Sequence, residues 1–384
     1  MVTKDIRYIG VNDRDIDLFE GQYPVPNGIA YNSYVILDEK VAVMDTVDHR
    51  KQGEFLANLE AALDGRKPDY LVVHHVEPDH ASSVQAVLDR YPDITVVAGA
   101  AALKMLTLYN TDPQHTLAVK EGDVLTLGRH ELQFIAAPMV HWPEVMMSYD
   151  KADKVLFSAD GFGKFGALDA QEDWDCEARR YYFNIVGKFG PQVQAVLKKA
   201  AGLDIQVICP LHGPVLKEDL GHYLEKYQLW SSYGVESEGV FIAYGSLHGN
   251  TAAAARKLKE LLEAKGCPKV VLTDLARDDA SEALEDAFRY GKVALCAPSY
   301  NAGVMPCMED FLNHLKGKAW QKRTVALVEN GSWAPTAART MASLLDSMKD
   351  ITIAGTATIR GALKESDLPA LDALAEKLLL PPTA

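Results

Sequence analysis

The stretch His74-His75-Val76-Glu77-Pro78-Asp79-His80 concentrates metal-binding side chains in a few positions. It follows the apolar run Tyr70-Leu71-Val72-Val73, which places it at the C-terminal end of a strand. In an extended chain His75, Glu77 and Asp79 project to one side and His80 to the other. Their spread along an extended backbone is about 13 Å, too wide for one ion. The loop must therefore curl, or serve two metals, or both. Three further donors repeat the placement: His141 after LQFIAAPMV, Asp160 after KVLFSA, and His212 after IQVICPL, just before a Gly-Pro turn. If those runs are neighbouring strands, all these side chains converge on one rim of a sheet. The set is four imidazoles (His75, His80, His141, His212) and three carboxylates (Glu77, Asp79, Asp160), more than one tetrahedral zinc takes. Nitrogen and oxygen donors without thiolate suit two metals joined by a bridging carboxylate, and Asp160 is expected to be the bridge. Donor softness leaves zinc, iron and manganese open. A single His or Asp after a strand is ordinarily a cap or a solvent-facing residue; the repetition at successive strand ends is what points to chemistry. His74 lies on the opposite parity from His75 and reads as a packed residue or a support for a ligand. His49, His115, His130, His222 and His314 stand in polar or helical contexts and read as surface residues.

A second constellation follows the apolar run Val240–Tyr244. The turn Gly245-Ser246-Leu247-His248-Gly249-Asn250-Thr251 leads into AAAARKLKELLEA, a helix by pattern, so its backbone N–H groups stand at the positive end of that helix. It has neither the Gly-x-x-x-x-Gly-Lys of a nucleoside-triphosphate loop nor GxGxxG, and a monophosphate suits it best. With no Lys or Arg in the turn, N–H and hydroxyl groups would carry the phosphate charge. Two later turns also close strands: Pro298-Ser299-Tyr300-Asn301-Ala302-Gly303 and Gly331-Ser332-Trp333-Ala334-Pro335. Each offers an aromatic ring that can stack and small residues that allow close approach. Alone, Tyr300 and Trp333 would be ordinary loop aromatics. Three such turns at one carboxyl edge describe a ligand crevice.

The elements that must position these residues alternate along the chain. Strands are expected at Tyr34–Leu37, Val41–Met44, Tyr70–His74, Ile94–Ala98, Leu132–Ala137, Val155–Ser158 and Ile205–Cys209. Helices are expected at Gly53–Leu63, Ser82–Tyr91, Lys217–Ser231 and Glu177–Ala201, the last broken near Gly187–Pro191. The polar segment Val235–Gly239 marks a boundary, giving domains 1–236 and 239–384. Beyond it, strands near 240–244, 269–273, 292–297, 323–329 and 351–356 each precede a helix, the pattern of a doubly wound five-stranded parallel sheet.

Composition narrows the function. The 384 residues are 48% hydrophobic and 24% charged, as in ordinary globular proteins. A net charge of −14 argues against nucleic acid as a partner. The charged N-terminus lacks the apolar block of a signal peptide and no apolar run is long enough to span a bilayer, so the expectation is a soluble, cytoplasmic protein. Five scattered cysteines form no CxxC pair, which argues against disulfides and excludes a rubredoxin or iron–sulfur module within these residues.

Taken together, the motifs resemble the flavodiiron proteins, or A-type flavoproteins, over nearly the full length. The resembling segments are YNSYVILDEK with DTVD (31–48), HHVEPDH (74–80), APMVHWPEVMMSY (137–149), LFSADGFG (156–163), RRYYFNIVGKFGP (179–191), ICPLHGP (208–214), GSLHGNT (245–251), APSYNAGVMP (297–306) and ENGSWAP (329–335). The resemblance implies a metallo-β-lactamase-like αββα domain followed by a flavodoxin-like domain. It implies FMN at Ser246, Leu247, His248, Gly249, Asn250, Thr251, Pro298, Ser299, Tyr300, Asn301, Ala302, Gly303, Ser332, Trp333 and Ala334. It also implies two irons, one on His75, Glu77 and His141, the other on Asp79, His80 and His212, with Asp160 between them. His248 stands where an aromatic residue such as tyrosine is frequent, a departure that touches fine contacts and not the cofactor. Glu77 replaces the histidine typical of zinc hydrolases with this fold, which suits a harder metal. The implied activity is reduction of dioxygen to water, nitric oxide to nitrous oxide, or both. Electrons would come from a rubredoxin-type protein, or in some relatives a reduced deazaflavin. The implied assembly is a head-to-tail homodimer, or a dimer of such dimers. Two other readings are a zinc hydrolase with an accessory flavin domain and an electron carrier with a vestigial metal domain; the carboxylate at Glu77 and the full donor set speak against them.

Overall fold

The computed structural model describes Met1–Pro381, and its chain divides into two compact units. The first comprises Met1–Tyr182 and Phe189–Gln228; the second comprises Phe183–Lys188 and the chain from Leu229 onward.

In the first unit two sheets pack face to face. One runs Ile6–Tyr8, Tyr34–Leu37, Val41–Met44, Tyr70–Val72, Thr95–Gly99, Thr116–Val119; the other runs Val124–Thr126, Glu131–Ala136, Met146–Asp150, Val155–Phe157, Val207–Cys209. Period-two alternation sends Tyr34, Ile36, Ala42, Met44, Val72 and Val97 inward against Leu132, Phe134, Val155, Phe157 and Cys209. The opposite parity is apolar too, because helices cover the outer faces: Gln52–Leu63 buries Phe55, Leu59 and Leu63 beside Tyr34–Leu37. This is the expected αββα sandwich.

The metal-bearing loops all leave strand ends on one rim. The span of His75–His80 is shortened by a single helical turn at Pro78–Ala81, with proline at its first position, where no N–H is needed. The expected break in Glu177–Ala201 takes the form of a helix at Trp174–Tyr181, a wide π-turn at Tyr182–Val186, a tight turn at Gly187–Phe189 and a helix at Gly190–Ala200. One strand, Met146–Asp150, lacks the alternation that sequence reading relies on, since Ser148 and Asp150 are buried with Met146, Met147 and Tyr149. Each finds a buried histidine: His74 for Ser148 and His130 for Asp150. His130 is therefore a core residue and not the surface residue its context suggested.

The second unit orders its parallel strands Val270–Asp274, Val240–Tyr244, Lys292–Tyr300, Arg323–Asn330, Ile351–Ile359, or 2-1-3-4-5. The order in which strands are added reverses between Val240–Tyr244 and Lys292–Tyr300, so the turns after those two parallel strands flank a ligand crevice. Helices Asn250–Ala264 and Leu368–Leu379 pack together against the sheet core of Ile242, Ala294, Cys296 and Val328. Arg323 opens its strand with a buried guanidinium that donates to the carbonyls of Tyr233 (3.0 Å), Gln321 (2.9 Å), Gly234 (3.2 Å), Lys322 (3.2 Å) and Phe288. Burial pulls its pKa down to about 10. The five cysteines are free thiols, and Cys209 and Cys296 are buried as their apolar contexts predicted. Among the described residues no helix is long and apolar enough to cross a membrane.

Candidate functional site

The donors from four loops fall into two groups. His75, Glu77, His141 and Asp160 offer atoms within 4.8 Å of one another, and so do Asp79, His80 and His212. Asp160 stands between them. Its Oδ2 faces Nε2 of His75 (3.3 Å) and of His141 (3.6 Å), while its Oδ1 faces Nε2 of His80 (3.4 Å) and of His212 (3.7 Å). Glu77 Oε2 sits 3.2 Å from His75 and 3.0 Å from His141; Asp79 Oδ2 sits 3.3 Å from His80 and 3.2 Å from His212. All seven sequence-derived donors meet at one place.

The ring orientations are fixed from behind. His75 Nδ1 donates to Glu144 Oε1 at 2.7 Å, and His212 Nδ1 donates to the Ala30 carbonyl at 2.8 Å, so each presents Nε2 to the centre. Tyr181 donates its hydroxyl to Asp160 Oδ1 at 3.0 Å. His74 is closed on both sides: Nδ1 on Asp45 Oδ2 at 2.5 Å and Nε2 on Ser148 Oγ at 2.8 Å. The His212 turn is tied to the first sheet by Asn32, which donates to Pro210 and Gly213 carbonyls, and by Tyr34, which donates to Pro210.

Electrostatics in the metal-free polypeptide follow from this crowding. Burial works against a charged imidazole at His75, yet Asp160, Glu144 and Glu77 outweigh it and hold the pKa well above the usual histidine value. His80 is pushed up to about 9 in the same way, burial being overcome by Asp79 and Asp160. Burial would raise Asp160 and Glu77, but His75, His80 and His141 hold Asp160 well below the carboxylate range, and His141 and His75 do the same for Glu77. Protonated rings at His75 and His80 offset part of the carboxylate charge that metal ions would otherwise offset.

A third group, His130, Asp150 and Asp153, lies within ligand reach. Arg129 already fills it, 2.8 Å from Asp153 and 2.9 Å from both Asp5 and His130 Nε2.

In the second unit a cavity of about 400 Å³ opens at the carboxyl edge. The flavin contacts expected from sequence line it, except Gly249 and Gly303; Asn330, Gly331, Thr336 and Gly361 join them. Ser246 Oγ accepts from the N–H groups of Gly249 and Ala252 at the start of the 15-residue helix Asn250–Ala264. Gly249 takes φ +87°, a conformation that favours glycine, and caps the helix from outside the cavity lining. Ser299 Oγ accepts from Thr336 and Ala337, and Thr336 Oγ1 donates to the Gly303 carbonyl, which locks the second and third turns together. Trp333 is 89% exposed and Tyr300 43%, rings with little of their own chain to cover them.

Comparison with known proteins covers both halves. Residues 29–213 match the family described as ODP family beta lactamase. The anaerobic nitric oxide reductase flavorubredoxin of Aeromonas hydrophila is 31% identical over 366 residues, 92% of this chain and 74% of the relative. Rubredoxin oxygen:oxidoreductase from Desulfovibrio gigas superposes with TM-score 0.92 at 26% identity, covering 98% of this chain and 97% of its own. The flavodiiron protein from Giardia intestinalis gives TM-score 0.92 at 26% identity, over 98% and 94%. The chain belongs to the flavodiiron proteins.

Flavodiiron proteins carry FMN and a non-haem di-iron centre, and the residues here fit both. Both carboxylate oxygens of Asp79, both ring nitrogens of His80 and Oδ2 of Asp160 are buried without a hydrogen-bond partner, the state of donors that answer to a cation. Some residues that touch the gathered donors or line the cavity were missed by sequence reasoning. Glu144 and Tyr181 sit inside motifs quoted for the resemblance, HWPEVMMSY and RRYYFNIV, but no spacing rule marks a carboxylate or phenol that touches a ligand and not the metal. Gly361 reaches the carboxyl-edge cavity through a mutual pair with Asn330, a contact between sequence-distant loops.

Proposed function

We propose that this chain reduces dioxygen to water, nitric oxide to nitrous oxide, or both, with electrons from a rubredoxin-type donor. The observation that carries the reading is Asp160, whose two oxygens divide between two His–carboxylate sets. His75, Glu77 and His141 would hold one iron, Asp79, His80 and His212 the other, and Asp160 would bridge them. When bound, the irons supply electrons to a diatomic gas, and FMN collects those electrons from the donor. The chain's own part is to orient the rings from behind and to keep the donors buried. In the second half, Ser246–Thr251 would take the FMN phosphate on N–H and hydroxyl groups, while Tyr300 and Trp333 would flank the ring. The reading is supported by relatives named nitric oxide reductase flavorubredoxin and rubredoxin oxygen:oxidoreductase. It includes functional domains at 1–236 and 239–384, a cytoplasmic setting, and a head-to-tail homodimer in which one chain's flavin turns meet the other's metal centre. Anaerobic reduction followed by stopped-flow reoxidation with each gas separately tests it. Fast reoxidation by at least one gas is expected; sluggish reoxidation by both, from a chain carrying FMN and two irons, overturns it.

Two expectations follow. A ligating imidazole must be neutral, and His75 and His80 are held protonated at pH 7 without metal. Loading ferrous iron at pH 7 should therefore release about two protons per chain, falling above pH 9 as His80 loses its proton unaided. An indicator dye in weak buffer reads this directly, and no release at pH 7 would mean that the rings are neutral beforehand. Trp333→Ala should weaken FMN binding about tenfold, ~1.4 kcal/mol of lost stacking. Fluorescence titration of the flavin-free protein measures it; unchanged affinity removes Trp333 from the contacts.

A further inference from the structure

The two metal sets have the same formal charge: each has one carboxylate of its own, Glu77 or Asp79, and one oxygen of Asp160. Any difference between them comes from what stands behind the ligands. His75 Nδ1 donates to Glu144, a carboxylate, at 2.7 Å. The same Oε1 accepts from Val76 N at 3.1 Å, and Oε2 is buried with no hydrogen-bond partner. A buried carboxylate oxygen left bare is costly unless positive charge lies close by, here one imidazole away. Behind the second set there is no counterpart: His212 Nδ1 rests on the neutral Ala30 carbonyl, and His80 Nδ1 has no partner among the described residues. A carboxylate behind an imidazole makes the ring a stronger donor, and a neutral carbonyl does so less. Tyr181 adds to the contrast. Its hydroxyl donates to Asp160 Oδ1, the oxygen facing His80 and His212, and draws charge from that side only.

We propose that Glu144 and Tyr181 are positioning residues that make the two metal positions electronically unequal, the His75–Glu77–His141 position being the electron-rich one. The metal there has the lower reduction potential and is oxidised first. This rests on the di-iron reading above and deepens it.

The test is a redox titration of the iron-loaded protein, followed by electron paramagnetic resonance and by Mössbauer spectra on iron-57. Two separate one-electron steps are expected in the natural chain. Glu144→Gln keeps the shape and can still accept from His75 and Val76, but removes the charge. It should move the lower step upward by about 59 mV, a tenfold change in the one-electron equilibrium, and loosen iron by about tenfold. Tyr181→Phe should move the upper step downward, narrowing the gap from the other end, and it keeps the idea testable if Glu144→Gln loads iron poorly. Two irons per chain with both steps unmoved in the variants overturns the inference and leaves the di-iron reading intact. A natural chain that takes up fewer than two irons overturns the reading itself.

Discussion

Asp160→Asn should leave the chain folded and yellow with flavin yet reduce gas turnover by more than a hundredfold, beyond the 10–100-fold typical of losing an outer support. Both oxygens of Asp160 are engaged, one toward each donor set, and the residue is 1% exposed, so water cannot readily replace it. Asparagine keeps one acceptor and turns the other into an NH₂ group that cannot ligate. One set then loses its shared oxygen. Iron content should fall from two toward one per chain, measured by plasma emission on protein kept anaerobic. Flavin absorbance should be unchanged, because the cavity proposed for FMN is lined by a separate part of the chain. A variant with two irons and near-natural turnover would remove Asp160 from the bridge and, with it, the main support for the paired-metal reading.

Arg323→Met should cost about 3–5 kcal/mol, the range for uncompensating a buried polar network, and lower the melting temperature of the flavin-binding unit by roughly 10 °C. Among the described residues the guanidinium has no carboxylate partner. It serves backbone carbonyls: Tyr233 and Gly234 just past the helix Leu220–Ser231, Phe288 in the last turn of the helix Ala280–Arg289, and Gln321 and Lys322 before its own strand. Helix C-termini carry partial negative charge, so a cation is favoured there even when buried. Methionine fills much of the space and withdraws the guanidinium donors from those carbonyls. Differential scanning calorimetry reads the shift, and Arg323→Lys, which retains the charge but fewer donors, should fall between. A loss below about 1 kcal/mol, the scale of an ordinary surface change, would mean that the carbonyls find water and that Arg323 is not a linchpin.

Much of this was legible in the sequence because the chemistry sits where local rules are strong. Each candidate metal donor follows an apolar run, and strand ends are readable from such runs; hence the sequence alone gathers His75, His141, Asp160 and His212 on one rim. The turns of the second unit were legible for the same reason, since Gly245–Gly249 lies between a five-residue strand and a long helix. What escaped was set by tertiary contact. Met146–Asp150 breaks alternation because Ser148 and Asp150 are buried on histidines that sequence places far away. His130 looked like a surface residue because Arg129 and Glu131 flank it, yet its ring is enclosed by Asp150 and Arg129. The helical turn Pro78–Ala81 was foreseen only as a need for the loop to curl.

The ties around the rim have a bearing on how the protein matures. Asn32 and Tyr34 fasten the His212 turn, and Asp45 with Ser148 fastens His74, without using one atom that would touch a metal. These ties can form without a metal, whereas the bare oxygens of Asp79 and ring nitrogens of His80 still answer to one.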